Sequence, residues 1–248
     1  MSEKIKAVLL VGGLGTRLRP VVGSTPKPIA LVGDRPFLEL LILQLRSQGI
    51  RNIVLCTGYL AHEIEKQLGD GTTWDISIEY SKEPHPMGTG GAVKFAEPFL
   101  RDASDFLVMN GDSFMEISFL KMLEAHRQSG AMVTLAVLLM KNEKRYGTVR
   151  INDSDRVIGF TEKSASDSEV FVNAGIYVFN RRVFDYIPEG KASLEKDVFP
   201  SLMSQGIHAS RQDGMFIDIG TPEDYVRAQD LSKRLYEMVS QPASTQQL

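Results

Sequence analysis

A glycine-rich loop that follows directly on a short apolar run is the feature that most constrains the fold of this chain. Residues 5–11 have the composition and length of a buried strand. Glycines let backbone N–H groups approach a polyanion closely, and Arg17 and Lys27 add a planar and a compact cation to the same region. The loop reads Gly12-Gly13-Leu14-Gly15-Thr16-Arg17-Leu18. A strand, a glycine loop and two cations together predict an α/β protein that binds phosphate groups beyond its first strand.

Composition excludes several classes of protein. The chain has 248 residues, enough for one large α/β domain or two small ones, and its net charge is −3 with no run of lysine or arginine. Nucleic acids select basic surfaces, so no nucleic-acid partner is expected. Cys56 is the only cysteine, which excludes a disulfide framework or a cysteine zinc site within one chain.

Apolar segments in this chain are too short for a membrane protein. The run at the N-terminus is also too short for a signal peptide, and it ends in Gly12 and Gly13. We therefore expect a cytoplasmic protein with no membrane partner. The sequence leaves open whether copies of the chain associate into a homo-oligomer.

Short apolar runs alternate with helical patterns through the first half of the chain. This βαβα order predicts a Rossmann-like, mixed and mainly parallel sheet flanked by helices. The predicted strands are residues 5–11, 52–57, 76–80, 106–109 and 132–140, and the predicted helices are 37–46, 61–68, 118–128 and a short one after Gly91.

The second half of the chain is richer in strands. Thr221 and Pro222 are suited to cap and to begin a last helix. No linker divides the chain, which predicts a single catalytic domain over residues 1–239 and a disordered polar tail over residues 240–248. The predicted strands here are 147–151, 157–162, 171–179 and 215–219, and the predicted helices before the last one are 182–186 and 195–205.

The glycine loop matches neither of the two commonest phosphate loops. A Walker A loop needs lysine and then serine or threonine after its last glycine, whereas Gly15 precedes Thr16 and Arg17. A dinucleotide-binding loop needs a third glycine where Leu18 stands. An oxidoreductase that uses NAD is therefore disfavoured.

The loop and the later Pro26-Lys27-Pro28 resemble the signature of the nucleotidyltransferases that make nucleotide sugars, the sugar-phosphate pyrophosphorylases, over a region that extends to about Tyr225. The resemblance implies the nucleotide-diphospho-sugar transferase fold. It also implies transfer of a nucleoside monophosphate from a nucleoside triphosphate to a sugar 1-phosphate, with release of pyrophosphate. Catalytic roles are implied for Arg17, Lys27 and Asp112. Nucleotide contacts are implied for Val11, Gly12, Gly13, Gly15, Thr16, Arg17, Glu83, Gly88, Thr89 and Gly111.

Two aspartates follow predicted strands. Asp112 comes after residues 106–109, and Asp218 lies within the short run 215–219. Ligands of open α/β sheets bind beyond the carboxyl ends of strands, and two carboxylates can hold Mg²⁺. The residues alone leave an ordinary turn or helix cap open for Asp112. The resemblance implies that Asp112 and Asp218 bind the metal and that Mg²⁺ is the cofactor.

Two further segments complete the predicted site. The stretch from Glu83 to Gly91 combines prolines and glycines, which suits close contact with a nucleobase but also suits a loop that opens a helix. Isolated charged and amide residues are usually ordinary surface groups. The resemblance implies instead that the sugar phosphate is bound by Gly147, Glu162, Lys163 and Asn173.

Longer stretches resemble the guanylyltransferases of this family. The resemblance to members that act on D-glycero-α-D-manno-heptose 1-phosphate is stronger than that to members that act on mannose 1-phosphate. Uridylyl and thymidylyl members share parts of them. A regulatory homologue that binds nucleotide-sugar without reaction is a further alternative, which the presence of Arg17, Lys27, Asp112 and Asp218 disfavours. The stretches are residues 35–39, 87–92, 145–149 and 216–225.

Overall fold

The computed structural model of the protein describes residues 5–13, 15–23, 25–58, 60–141, 146–161 and 169–240. Its strands are β1 (Lys6–Leu10), β2 (Leu31–Val32), β3 (Arg35–Pro36), β4 (Asn52–Thr57), β5 (Ser77–Lys82), β6 (Asp105–Asn110), β7 (Ser113–Met115), β8 (Val133–Lys141), β9 (Thr148–Ile151), β10 (Val157–Thr161), β11 (Glu169–Asn180), β12 (Ile207–Gln212) and β13 (Phe216–Asp218). Its α-helices are α1 (Arg19–Val22), α2 (Phe37–Ser47), α3 (Ala61–Leu68), α4 (Gly88–Phe95), α5 (Phe119–Ser129), α6 (Phe199–Leu202), α7 (Pro222–Asp230) and α8 (Ser232–Ser240).

A nine-stranded mixed sheet forms the centre of the fold. Strands β5, β4, β1 and β6 are parallel neighbours in that order, and β12 is parallel to β8. The long strand β11 runs antiparallel to β6, β8 and β9, and β9 pairs antiparallel with β10. The predicted class, a mixed sheet flanked by helices, is confirmed.

Parallel strands bring the ends of β1, β4 and β6 to one edge of the sheet. Leu10 of β1 is in register with Cys56 and with Asn110, so the loops that follow all three strands start side by side. These are the glycine loop, the segment after Thr57 and the turn that carries Asp112. The site is therefore built where chain topology gathers three loops.

Both faces of the parallel strands are buried, since successive side chains point to opposite faces. Leu9, Leu55 and Leu107 join a core with α2, whereas Val8, Val54 and Val108 join a second core with α4. This explains why the strands read as nearly continuous apolar runs rather than as alternating ones.

Three predicted helices differ in the structure. The predicted helix 195–205 is a π-helical turn, Leu194–Val198, followed by the four-residue α6. Pro200 lies in the first turn of α6, where its missing N–H does no harm, and it cannot continue a regular helix from the turn before it. The predicted helix 182–186 is a 3₁₀ turn, Arg181–Asp185, and the last helical region is two helices, α7 and α8.

The domain boundary stays a prediction. Ser240, placed in the predicted tail, ends α8, and residues 241–248 lie outside the described residues. Across the described ranges no helix is both long and apolar enough to cross a membrane.

Candidate active site

The glycine loop after β1 brings three parts of the chain into close contact. A Cβ atom at Gly12 would lie 2.7 Å from Glu83 Oε1, and one at Gly15, whose φ is +57°, would lie 2.9 Å from Lys27 Cβ. Gly111 is equally constrained, since its Cβ would lie 2.5 Å from Val11 Cγ1. The close approach of neighbouring loops therefore requires glycine at Gly15 and Gly111, whereas the nearest atom at Gly12 belongs to the flexible end of the Glu83 side chain.

Gly13 differs from its neighbours, because a Cβ atom there would meet no heavy atom of the described residues within 4 Å. It faces a cleft of about 340 Å³ between the loop and Asp112. Protein packing does not explain this glycine, whereas close approach of a ligand to the backbone does. The cleft is lined by Leu10, Val11, Gly13, Gly15, Thr16, Arg17, Lys27, Pro28, Gly111, Asp112 and Gly220.

Lys27 projects from a rigid 3₁₀ turn, Lys27–Ile29, that begins after Pro26. Only 9% of its side chain is exposed, and Nζ donates to Asp112 Oδ2 at 2.5 Å and lies 4.0 Å from Asp218 Oδ1. The structure thus brings together a predicted phosphate-binding cation and both predicted metal ligands.

A short antiparallel pair, β7 with β13, places the two aspartates next to each other. Asp218 is in register with Ser113, and Ile219 N donates to Asp112 O at 2.9 Å. Gly220 N donates to Asp218 Oδ1 at 2.6 Å, which fixes that carboxylate. Residues more than a hundred positions apart in the sequence therefore share one site.

Electrostatics at this pair favour a cation. Burial, and next the charge of Asp112, raise the pKa of Asp218 to about 6, although Lys27 and the Gly220 N–H oppose the shift. The ammonium of Lys27 occupies the place of a positive ion against both carboxylates. Within the part of the chain that is described, no group of three or more His, Cys, Asp or Glu side chains could hold a metal. Two carboxylates completed by water and phosphate oxygens fit Mg²⁺, which commonly binds in that way.

The predicted base-binding segment is stiffened by contacts of its own. Glu83 Oε2 accepts a hydrogen bond from Met87 N at 3.0 Å, and burial raises the pKa of Glu83 against the opposing Met87 N–H and His85. Gly90 and Gly91 donate their N–H groups to Ala192 O. The carboxylate of Glu83 thus stands beside the glycine loop, while these two N–H groups serve packing instead of facing a base.

Gly88 and Thr89 are held by the same neighbouring segment. Gly88 has φ +73°, and a Cβ atom there would lie 2.5 Å from Ala192 O. The Thr89 hydroxyl accepts from Leu194 N at 2.8 Å. Residues 192–194 therefore support the start of α4, a contact that the sequence pattern did not indicate.

On the predicted sugar side, Asn173 lies beside Gly147, its N–H donating to Gly147 O at 3.4 Å. Gly175, two residues on, has φ +73°, and a Cβ atom there would lie 2.4 Å from Asn110 Nδ2. Close packing at Gly175 thus brings β11 against the end of β6, next to the aspartates. Glu162 and Lys163 lie outside the described residues.

Asn110, Tyr177 and Glu195 lie beside residues of the predicted site, and the sequence pattern indicated no role for them there. Tyr177 is fully buried and hydrogen-bonds to Asn173 Nδ2 at 2.9 Å and to Glu195 Oε1 at 3.4 Å. The polar residues Asn173 and Tyr177 within a buried strand were a usable signal for Tyr177, and the position of Asn110 directly before Gly111 and Asp112 was one for Asn110. Glu195 lies in a charged stretch that resembles any exposed helix.

Comparison with known proteins establishes the class to which this fold and site belong. The chain belongs to the nucleotidyl transferase family, whose model matches residues 6–234. Enzymes of this kind act on a nucleoside triphosphate and a sugar phosphate, and the family generally uses a divalent metal.

Particular relatives are guanylyltransferases. The chain is 41% identical over 228 residues to the D-glycero-alpha-D-manno-heptose 1-phosphate guanylyltransferase of Aneurinibacillus thermoaerophilus. This match covers 91% of this chain and 97% of that relative. It is 38% identical over 230 residues to the mannose-1-phosphate guanylyltransferase of Mycobacterium tuberculosis, over 91% of this chain but only 64% of that relative. The crystal structure of HddC from Yersinia pseudotuberculosis complexed with GMP-PN superposes with a TM-score of 0.82 at 32% identity, covering 91% of this chain and 98% of that one.

Proposed function

We propose that this chain transfers GMP from GTP to a sugar 1-phosphate, forming a GDP-sugar and pyrophosphate. The observation that carries the proposal is the contact of Lys27 with Asp112 and Asp218 beside the cleft under the glycine loop, because it joins a phosphate-binding cation to a paired-carboxylate site. The proposed sugar is D-glycero-α-D-manno-heptose 1-phosphate. The Aneurinibacillus heptose enzyme supports it, since its match covers nearly its whole length. The product would serve surface polysaccharide synthesis in the cytoplasm.

Charge neutralisation, rather than a general base, is what this reaction requires. A phosphate oxygen of the sugar 1-phosphate is already anionic near neutral pH. It attacks the α-phosphorus of GTP, a new P–O bond forms, and the bond from the α-phosphorus to the pyrophosphate oxygen breaks, with no proton removed by a side chain. Arg17 stabilises the departing pyrophosphate, Lys27 aligns the phosphates, and Lys163 holds the phosphate of the sugar.

Asp112 and Asp218 are the residues that would hold Mg²⁺, the cofactor that we propose. The two carboxylates repel each other, and Lys27 offsets part of that repulsion. Mg²⁺ bound there supplies neutralisation of charge on the reacting phosphates. Gly13 leaves room for phosphate groups on the side of the cleft formed by the glycine loop.

Glu83 supports guanine as the base. An ionised carboxylate only accepts hydrogen bonds, and the Watson–Crick edge of guanine offers two neighbouring donors, N1–H and the 2-amino group. Uracil and thymine offer one donor flanked by two carbonyl oxygens, which a carboxylate repels. The hydrogen bond from Met87 N fixes the Glu83 side chain beside the glycine loop.

Replacing Glu83 by glutamine is expected to weaken this preference. The amide keeps one acceptor but presents a donor to one guanine N–H, so kcat/KM for GTP should fall about 10- to 100-fold, in line with the discrimination of a paired base contact. The value for UTP should change much less. Competition of GTP with UTP and dTTP measures the ratio. An unchanged ratio would place base recognition elsewhere, and Glu79→Gln, on the preceding strand β5, is the matched control.

A product screen tests the proposed reaction directly. Purified protein is offered GTP, ATP, UTP or dTTP with heptose, mannose, glucose or N-acetyl-sugar 1-phosphates, with and without Mg²⁺. We expect GDP-heptose and pyrophosphate only with GTP and Mg²⁺. GDP-mannose as the main product would favour the activity named for the mycobacterial relative. No product from any pair would favour a regulatory homologue, and gel filtration of the same sample would test self-association.

A further inference from the structure

Glu195 lies on the π-helical turn Leu194–Val198. Its carboxylate accepts hydrogen bonds from three hydroxyl groups. Tyr177 OH lies 3.4 Å from Oε1, while Ser193 Oγ and Thr89 Oγ1 lie 3.0 Å and 3.3 Å from Oε2. Tyr177 belongs to β11 and Thr89 to the start of α4. One carboxylate therefore contacts Thr89, a predicted nucleotide contact, and Tyr177, the hydrogen-bond partner of the predicted sugar contact Asn173.

The proton of Tyr177 determines how the amide of Asn173 is oriented. Burial raises the pKa of Tyr177 well above its usual value, so the phenol keeps its single proton. An ionised carboxylate can only accept, so that proton points to Glu195, and the phenol oxygen accepts from Asn173 Nδ2 at 2.9 Å. Asn173 Oδ1 then accepts from Gly175 N at 3.0 Å. These contacts select one of the two amide orientations.

Thr89 is oriented by the same reasoning. Its hydroxyl oxygen accepts from Leu194 N at 2.8 Å, which leaves its proton for Glu195 Oε2. Thr89 lies in the first turn of α4, directly after the segment that carries Glu83. π-Helical turns are frequent at functional sites because they redirect a side chain out of regular helical spacing, and here the turn directs Glu195 toward these two partners.

We propose that Glu195 is a positioning residue that orients Asn173 toward the sugar 1-phosphate through Tyr177 and holds the start of α4 through Thr89. The proposal rests on the proposed function, because Asn173 is the sugar contact only in that reaction. Asn173 Nδ2 has a second hydrogen with no acceptor among the described residues, and that hydrogen is the one offered to the sugar phosphate.

Four single variants separate this relay from a merely structural role. Tyr177→Phe removes the link to Asn173 only, so KM for the sugar 1-phosphate should rise about three- to tenfold, with KM for GTP within about twofold of wild type. Glu195→Ala removes both links and should raise both KM values. Glu195→Gln keeps a carbonyl acceptor for Tyr177 and should hold KM for the sugar near wild type. Asp197→Ala removes the acceptor of Ser193 N on the same turn without touching Tyr177 or Thr89, and it should leave both KM values unchanged.

The double variant Tyr177→Phe/Glu195→Ala adds a test of coupling. If the two residues act through one relay, its KM for the sugar 1-phosphate should be no higher than that of Glu195→Ala. Additive effects, equal rises of both KM values in Tyr177→Phe, or the same pattern in Asp197→Ala would overturn the proposal. Thermal melts of every variant report any loss of folding separately.

A measurement without substrate keeps this test apart from that of the proposed function. The side-chain amide signal of Asn173 in ¹⁵N spectra, assigned by its loss in Asn173→Asp, reports the relay directly. It should shift in Tyr177→Phe and Glu195→Ala and stay in place in Glu195→Gln and Asp197→Ala. An unmoved signal in all four variants contradicts the relay even if the wild type makes GDP-sugar. A wild type without activity contradicts the proposed function even if the signal shifts as expected.

Discussion

Lys27→Met is expected to lower kcat for GDP-sugar formation about 10²–10³-fold, the loss usual for a preorganised electrostatic stabiliser. Lys27 is a buried cation that lines the cleft, and its position is fixed by the 3₁₀ turn and by contact with Gly15. Methionine keeps the length and apolar character of the side chain but removes the charge. Steady-state rates of pyrophosphate release measure the effect.

The same variant has a second readout that does not depend on turnover. Lys27 lies against both carboxylates, so its removal should leave Asp112 and Asp218 more strongly attractive to a divalent cation when no nucleotide is present. Titration with Mn²⁺ by calorimetry should show tighter binding than in wild type. Weaker binding would mean that Lys27 helps to build the metal site instead of competing for it.

Lys6→Met is the matched control for both measurements. Lys6 is also a mostly buried lysine with a carboxylate partner, Asp102 at 2.7 Å, but it begins β1 at the end opposite to the glycine loop. We expect this variant to lose some stability and to keep kcat and metal affinity near the wild-type values. A comparable fall of kcat in Lys6→Met would show that Lys27→Met acts through folding.

The sequence predicts the parallel half of this fold well because local signals determine it. Apolar runs of strand length alternate with helical periodicity, and β1, β4, β5 and β6 all fall within a few residues of the predicted ranges. Once these strands are parallel, the loops after them must meet at one edge. The amino-acid sequence alone therefore suffices to place the glycine loop and Asp112 near each other.

Pairings between distant segments could not be predicted in this way. Asp218 reaches Asp112 only because β13 pairs with β7, a strand of three residues that carries no periodicity of its own. The turn that presents Glu195 depends on Pro200 and on contacts with Thr89, neither of which has a strand or helix signature. Short elements of this kind are fixed by tertiary packing rather than by local propensity.

Glycine patterns show the same limit at finer scale. Gly13 and Gly88 both belong to glycine-rich motifs, and the sequence predicts contact with a nucleotide for both. In the structure Gly13 faces an open cleft. At Gly88, in contrast, a side chain would clash with the backbone oxygen of Ala192. Composition cannot separate a glycine that admits a ligand from one that admits another part of the chain.

Asp218→Asn is expected to stabilise the metal-free protein while it lowers kcat by about 10² or more. The pKa of Asp218 in the folded chain is raised from 3.8 to about 6, so the native state holds this proton more strongly than the unfolded state does. The free energy of unfolding therefore falls as Asp218 ionises between about pH 3.8 and about pH 6. Above that range the charged carboxylate destabilises the folded chain in full. Removing the charge should raise the free energy of unfolding at about pH 7.5 by roughly 1–3 kcal/mol.

The pH dependence of that gain distinguishes charge repulsion from other effects of the substitution. Asparagine is nearly the same shape as protonated aspartic acid and can still accept the hydrogen bond of Gly220 N. The difference in unfolding free energy, measured by urea denaturation in EDTA, should therefore shrink below about pH 6 and vanish below about pH 4. Asp213→Asn, at an exposed position five residues earlier in the sequence, is the matched control. If the gain in unfolding free energy were constant with pH, repulsion between Asp112 and Asp218 would not be its cause. If Asp218→Asn destabilised the protein at about pH 7.5, Lys27 would already offset the repulsion between the two carboxylates in full.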